Sequence, residues 1–143
     1  MAKAIIEGAI KGGVLDASAI AIADPDQSSR DYFEQLGCVT SETASQLPEA
    51  SCELLAVKPQ IFEEVARDVN ADIVYSIMAG VPTSRISQHI GHARVVRIMP
   101  NLPCSIGYGA AGIALGDSAT KEDASLAKKL FSAIGIVVEV EEE

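Results

Sequence analysis

The sequence predicts an α/β protein with a doubly wound parallel sheet. Helical and extended segments alternate along the chain, and the extended ones are unbroken apolar runs rather than polar–apolar alternations. Strands read that way when crossover helices cover both faces of the sheet. The chain has 143 residues, 48% of them hydrophobic, enough for one domain with a real core.

Met1 to Lys11 reads as a helix stopped at Gly12-Gly13. Ala19–Ala23 is a short strand ending at Asp24-Pro25-Asp26, followed by a helix from Gln27 to Leu36 that Gly37 stops. Cys38–Thr40 is a brief strand, and Ser41 is placed to cap a short helix through Leu47. Glu53–Val57 is a buried strand ended by Lys58-Pro59, with a helix from Gln60 to Asp68. The second half continues with a strand over Asp72–Met78 closed by Ala79-Gly80, then a helix capped by Thr83 through Ile90. Arg94–Ile98 and Ala110–Leu115 are strands, Lys121–Ile134 is a helix stopped by Gly135, and Ile136–Val140 is a last strand. Repeats, low-complexity tracts and interdomain linkers are not evident.

Composition narrows the function classes. A net charge of −9 with scattered basic residues and few aromatics argues against nucleic acid and anionic membranes as partners. Cys38, Cys52 and Cys104 are far apart and lack a C-x-x-C, which fits reduced thiols in the cytoplasm. His89 and His92 have no cysteine partners at ligand spacing, so no metal site is expected. No segment reaches roughly 18 apolar residues, and the start lacks a signal-peptide profile.

Candidate binding residues sit where strands end, the place at which open α/β sheets put their ligands. Asp24 lies just past the second strand of a dinucleotide fold, where a carboxylate accepts hydrogen bonds from a ribose 2′-hydroxyl and repels a 2′-phosphate. Ser28, Ser29 and Arg30 follow and could instead reach a 2′-phosphate, while Asp24 and Asp26 could simply shape a turn and cap the next helix. Pro100 and Pro103 stiffen the loop that carries Asn101. Asn101 could bond a nicotinamide carboxamide or lock its own loop.

Arg97-Ile98-Met99-Pro100-Asn101-Leu102-Pro103-Cys104-Ser105-Ile106-Gly107-Tyr108-Gly109 resembles the R-x-M-P-N-x-P-x-x-x-G-x-G segment of pyrroline-5-carboxylate reductases, with Leu102 in place of the usual threonine. Ala56-Val57-Lys58-Pro59 matches their A-V-K-P, and Ser76-Ile77-Met78-Ala79-Gly80-Val81 parallels S-(I/C)-A-A-G-V with Met78 for an alanine. Met1-Ala2 match the last two positions of a G-x-G-x-M-(A/G) loop. The resemblance implies a partial Rossmann-type dinucleotide-binding domain over 1–143, lacking its first strand and glycine-rich loop. It also implies that the family's helical C-terminal dimerisation domain, through which full-length members form homo-oligomers, is absent.

It further implies NADPH or NADH as cofactor and 1-pyrroline-5-carboxylate as the substrate reduced to L-proline. By the same resemblance, Val57, Lys58, Ala79, Gly80 and Asn101 border the cofactor, and Thr43 stands where many members have a contacting asparagine. No catalytic residue is assigned, because the hydride comes from the cofactor and a protonated imine is already electrophilic. Without the glycine loop, residues 1–143 alone are expected neither to bind the cofactor tightly nor to reduce the imine. Another dehydrogenase of the same superfamily, a deazaflavin-dependent one for instance, and a non-catalytic interaction module remain open alternatives.

Overall fold

The computed structural model describes residues 1–101 and 108–142. Helix α1 (Ala2–Lys11) buries Ile5 and Ala9, one turn apart, and ends where Gly13 takes φ +67°. The expected strand from Ala19 begins only at β1 (Ala21–Ala23), because Ala17–Ala19 form a 3₁₀ turn. That turn uses the amides of Ala19 and Ile20, which donate to Asp16 O and Ala17 O at 2.9 and 3.0 Å. Helix α2 (Gln27–Gln35) is capped by the Asp26 carboxylate, which accepts the Ser28 and Ser29 amides.

After β2 (Val39–Ser41), the helix expected through Leu47 is a single 3₁₀ turn, Ala44–Gln46. Ser41 does not cap it: its hydroxyl donates to Thr43 O at 2.6 Å. Pro48 disfavours helical backbone in the residue before it, and Leu47 is extended at ψ 154°. Strand β3 (Cys52–Leu55) leads into a segment expected to be one helix from Gln60 to Asp68. It is instead one α turn, α3 (Phe62–Val65), between two 3₁₀ turns, with Phe62 and Ala66 buried four residues apart.

Strand β4 (Ile73–Ser76) and helix α4 (Thr83–Ile90) come next, and Pro82 holds the N-cap position assigned to Thr83 from sequence. Strands β5 (Arg94–Pro100) and β6 (Gly109–Leu115), helix α5 (Asp123–Ser132) and strand β7 (Gly135–Glu139) complete the described fold. Thr120 and Asp123 form a reciprocal capping box at α5, Thr120 N–H to Asp123 Oδ2 at 2.8 Å and Asp123 N–H to Thr120 Oγ1 at 3.3 Å.

Strands β3-β4-β5-β6-β7 form one sheet in that order, and β1-β2 form a second. All pairings are parallel except β5 with β6, a departure from the parallel sheet expected. Its cause is the connection: a parallel pair needs a crossover of roughly a dozen residues or more, and 101–108 is too short. Val95 and Val96 are both fully buried but belong to different clusters, one on each face. Val96, Ile98 and Ile113 pack under α1 and α5, while Val95, Val74 and Leu55 pack under α3 and α4. Helix α1 also reaches the smaller sheet's helix, since Tyr32 of α2 donates to Glu7 and lies under the Lys3 ammonium.

Candidate functional site

Every candidate residue stands directly beyond the carboxyl end of a strand. Val57 and Lys58 follow β3, Ala79 and Gly80 follow β4, and Asn101 follows β5; these three strands are mutually parallel, so the five residues share one sheet edge. Asp24 and Thr43 follow β1 and β2 and share the matching edge of the two-stranded sheet. Leu102, Pro103 and Cys104 lie outside the described residues.

The edge is built from small and backbone-presenting residues. Ala56, Lys58, Ala79 and Gly80 are exposed, and Val57 is half-buried against the cluster under α4. Gly80 takes φ +71°, which L side chains rarely adopt, and faces open space where a Cβ would stand. Met78 does not obstruct this turn: its side chain is 2% exposed and packs with Phe62, Val74 and Val81. Its amide donates to Ser76 Oγ at 3.3 Å, which bends the chain out of β4.

The backbone amide and both carboxylate oxygens of Asp24 are fixed by bonds. Its N–H donates to Ser41 O at 3.1 Å, Oδ1 accepts the Asp26 amide at 2.9 Å, and Oδ2 accepts the Ser29 hydroxyl at 2.7 Å. The Ser28 hydroxyl on Asp26 holds that carboxyl below the usual carboxylate range. Thr43 is exposed, with its hydroxyl 3.1 Å from Ser45 Oγ. Asn101 Oδ1 accepts the Ala110 amide at 2.9 Å, the loop-locking bond foreseen as its alternative role.

Residues 1–80 match the family described as NADP oxidoreductase, coenzyme F420-dependent. The chain belongs to that oxidoreductase family. It is also similar to pyrroline-5-carboxylate reductases: 36% identical over 150 residues to those of Methanosarcina acetivorans and Haemophilus influenzae, covering 99% and 100% of this chain and 56% and 55% of theirs. A solved pyrroline-5-carboxylate reductase from Coxiella burnetii superposes with TM-score 0.91 at 30% identity, over 99% of this chain and 56% of that one. The Plasmodium falciparum pyrroline carboxylate reductase, solved with NADP bound, shares the fold at TM-score 0.81 and 18% identity, over 98% of this chain and 53% of that one. The chain spans about half the length of the curated relatives it matches.

Among the described residues, the other groups of chemical interest are two thiols. Burial pushes the Cys38 and Cys52 thiols up, away from the reactive thiolate form. Among the described residues no group of three His, Cys, Asp or Glu could hold a metal ion, and no helix is long and apolar enough to cross a membrane. A cavity of about 330 Å³ lies elsewhere, where β6 and β7 finish, lined by Thr83, Leu115, Lys121, Lys128 and Glu142.

Glu142 is the polar residue that sequence reasoning missed. Its carboxylate accepts the Thr83 amide and hydroxyl and pairs with Arg97 at 2.7 Å. These three positions are far apart in sequence, and no local pattern links them. The ion pair ties β5, through Arg97, to the chain just past β7.

Proposed function

We propose that the strand-end edge binds a nicotinamide dinucleotide, NADPH or NADH, and that the chain supplies this site to a pyrroline-5-carboxylate reductase of the cytoplasm. The observation that carries the reading is a resemblance running along the whole chain, joined to motifs that fall on one edge. The residues fit such a ligand. Gly80 leaves open space where any other residue would project a Cβ, and Ala56 and Ala79 keep the neighbouring backbone within reach of a flat ring.

In this reading Asp24 faces the adenosine ribose, Thr43 lies beside it, and Val57, Lys58, Ala79 and Gly80 line the nicotinamide half. Asn101 sets the exit of β5 next to them. Bound there, a reduced nicotinamide would supply the hydride that converts the C=N carbon of 1-pyrroline-5-carboxylate into that of L-proline, with a proton ending on nitrogen. The chain's own part is orientation, for which a rigid sheet edge is suited.

Two measurements test this. Titrating ¹⁵N-labelled protein with NADH or NADPH should shift amides at Asp24, Thr43, Val57, Lys58, Ala79, Gly80 and Asn101. Because the chain alone is expected to bind weakly, the titration runs to millimolar nucleotide; shifts confined to the cavity near Thr83 and Glu142, or none at that concentration, would overturn the site. For the reaction, the chain would replace the aligned segment of the Haemophilus influenzae reductase. The hybrid should form proline from the imine; a folded, nucleotide-binding hybrid that oxidises NADPH with coenzyme F420 but not with the imine would overturn the substrate.

A further inference from the structure

We propose that Ser29 is a specificity-determining positioning residue: by holding the Asp24 carboxylate at the tip of β1, it makes this edge select NADH over NADPH. The inference rests on the reading that the edge binds a nicotinamide dinucleotide.

Asp24 is clamped rather than mobile. Its backbone is tied to β2 through Ser41 O, and each carboxylate oxygen accepts one donor from the chain, Asp26 N–H on Oδ1 and Ser29 Oγ–H on Oδ2. A carboxylate oxygen has two acceptor positions, so each keeps one for an incoming hydroxyl. Ribose 2′- and 3′-hydroxyls are donors of that kind. A 2′-phosphate is not, and it would bring roughly two further negative charges beside Asp24 and the ionised Asp26.

The cation that would rescue such a phosphate is already engaged. Arg30 Nη1 donates to the carbonyls of Asp24 at 2.7 Å and Pro25 at 2.9 Å, and Nη2 donates to Gln27 Oε1. Its guanidinium is folded back on the turn, with three of its five N–H donors spent there, so a phosphate would find only part of the fork to bond. Ser28, the other donor of the turn, gives its hydroxyl to Asp26 Oδ2 at 2.6 Å. The turn therefore offers acceptors to a ligand and spends most of its donors on itself.

Dissociation constants for NADH and NADPH, measured on the 143-residue protein by amide-shift titration, test the idea without any assay of turnover. NADH should bind about tenfold tighter or more. Ser29→Ala should move the ratio most of the way to parity by weakening NADH, and Ser29→Thr, which keeps the hydroxyl, should restore it. Asp24→Ser should abolish the preference, which shows that the discrimination passes through the carboxylate. Equal or tighter binding of NADPH by the native protein overturns the proposal while leaving the cofactor site standing. So does a Ser29→Ala protein with an unchanged ratio. Binding of neither nucleotide up to millimolar concentration overturns the cofactor reading and this proposal with it.

Discussion

Asn101 and Ala110 close the mouth of the β5–β6 hairpin with a reciprocal pair of bonds. The Ala110 amide donates to Asn101 Oδ1 at 2.9 Å, and the Asn101 amide donates to Ala110 O at 3.1 Å. The side-chain bond extends the antiparallel ladder beyond Pro100, whose ring carries no N–H to give. The asparagine that resembles a family motif is thus also the residue that sets where β5 stops.

Replacing Asn101 by Ala should therefore cost stability. The lost bond is worth about 0.5–1.5 kcal/mol, a fall of roughly 2–8 °C in Tm for a domain near this size. Exchange of the Ala110 amide should accelerate, and Asn101→Asp, which keeps an acceptor, should protect it. Unchanged Tm and exchange in Asn101→Ala would show that the bond does not hold the hairpin.

A second expectation concerns acid. Asp123 is 6% exposed, and its carboxylate accepts Arg94 Nε at 3.0 Å as well as the Thr120 amide and hydroxyl. The Arg94 bond, with those from Thr120, holds it below the usual range. A depressed folded pKa stabilises the protein above the unfolded value, about 3.9, and that contribution is lost as pH falls through the folded value. The stability gap between native protein and Asp123→Asn, from urea unfolding, should be full at pH 7 and shrink below about pH 4. A gap constant from pH 7 to pH 3 would mean no proton is linked to this pair.

Glycine 135 supplies a third. A Cβ built there collides with the backbone of Gly109 across the β6–β7 pairing, where no side chain can move aside. At Gly8 the added carbon meets side-chain atoms, Cγ2 and Cβ of Ile134, rather than backbone. Overpacking costs typically about 1–3 kcal/mol when neighbours can shift, and more when they cannot. Gly135→Ala should lower Tm well beyond Gly8→Ala; equal effects would show that the two strands can separate at that point.

The alternation of elements was legible because buried strands and their stop signals are local. Gly12-Gly13 and Gly37 punctuate the sequence, and α1 and α2 end within two residues of them, whereas Gly135, read as a helix stop, opens β7. The reversal of β6 was legible in principle, from a connection too short for a crossover, yet the uniform apolar runs masked it. Met78 illustrates a different limit. It stands where the motif has a smaller alanine, and only the packing with Phe62, Val74 and Val81 shows where the thioether goes. Asp24, Val57, Lys58, Ala79, Gly80 and Asn101 were read at or near strand ends and lie there, whereas Thr43, read as helical, follows β2 in an extended conformation. The Arg97–Glu142–Thr83 contact needed coordinates, since pairing across so many residues leaves no periodic trace.

That contact makes the last prediction. The side chains of Arg97 and Glu142 are 15% and 16% exposed, and Arg97 Nε is buried with no hydrogen bond among the described residues. Burial alone would push the Glu142 carboxyl up, but bonds from Thr83 and Arg97 outweigh it and hold the carboxyl below its ordinary range. The Glu142 carboxyl is therefore ionised at neutral pH, facing the Arg97 guanidinium. Glu142→Ala strands a half-buried guanidinium, whereas Arg97→Met removes the charge and leaves an apolar stem of similar length against the sheet. The first should destabilise more than the second. The double variant should recover part of the loss, with a coupling of about 0.5–3 kcal/mol measured by a double-mutant cycle in urea. Single effects that add to within about 0.5 kcal/mol would show the pair to be two independent contacts, and Thr83 the true anchor of Glu142.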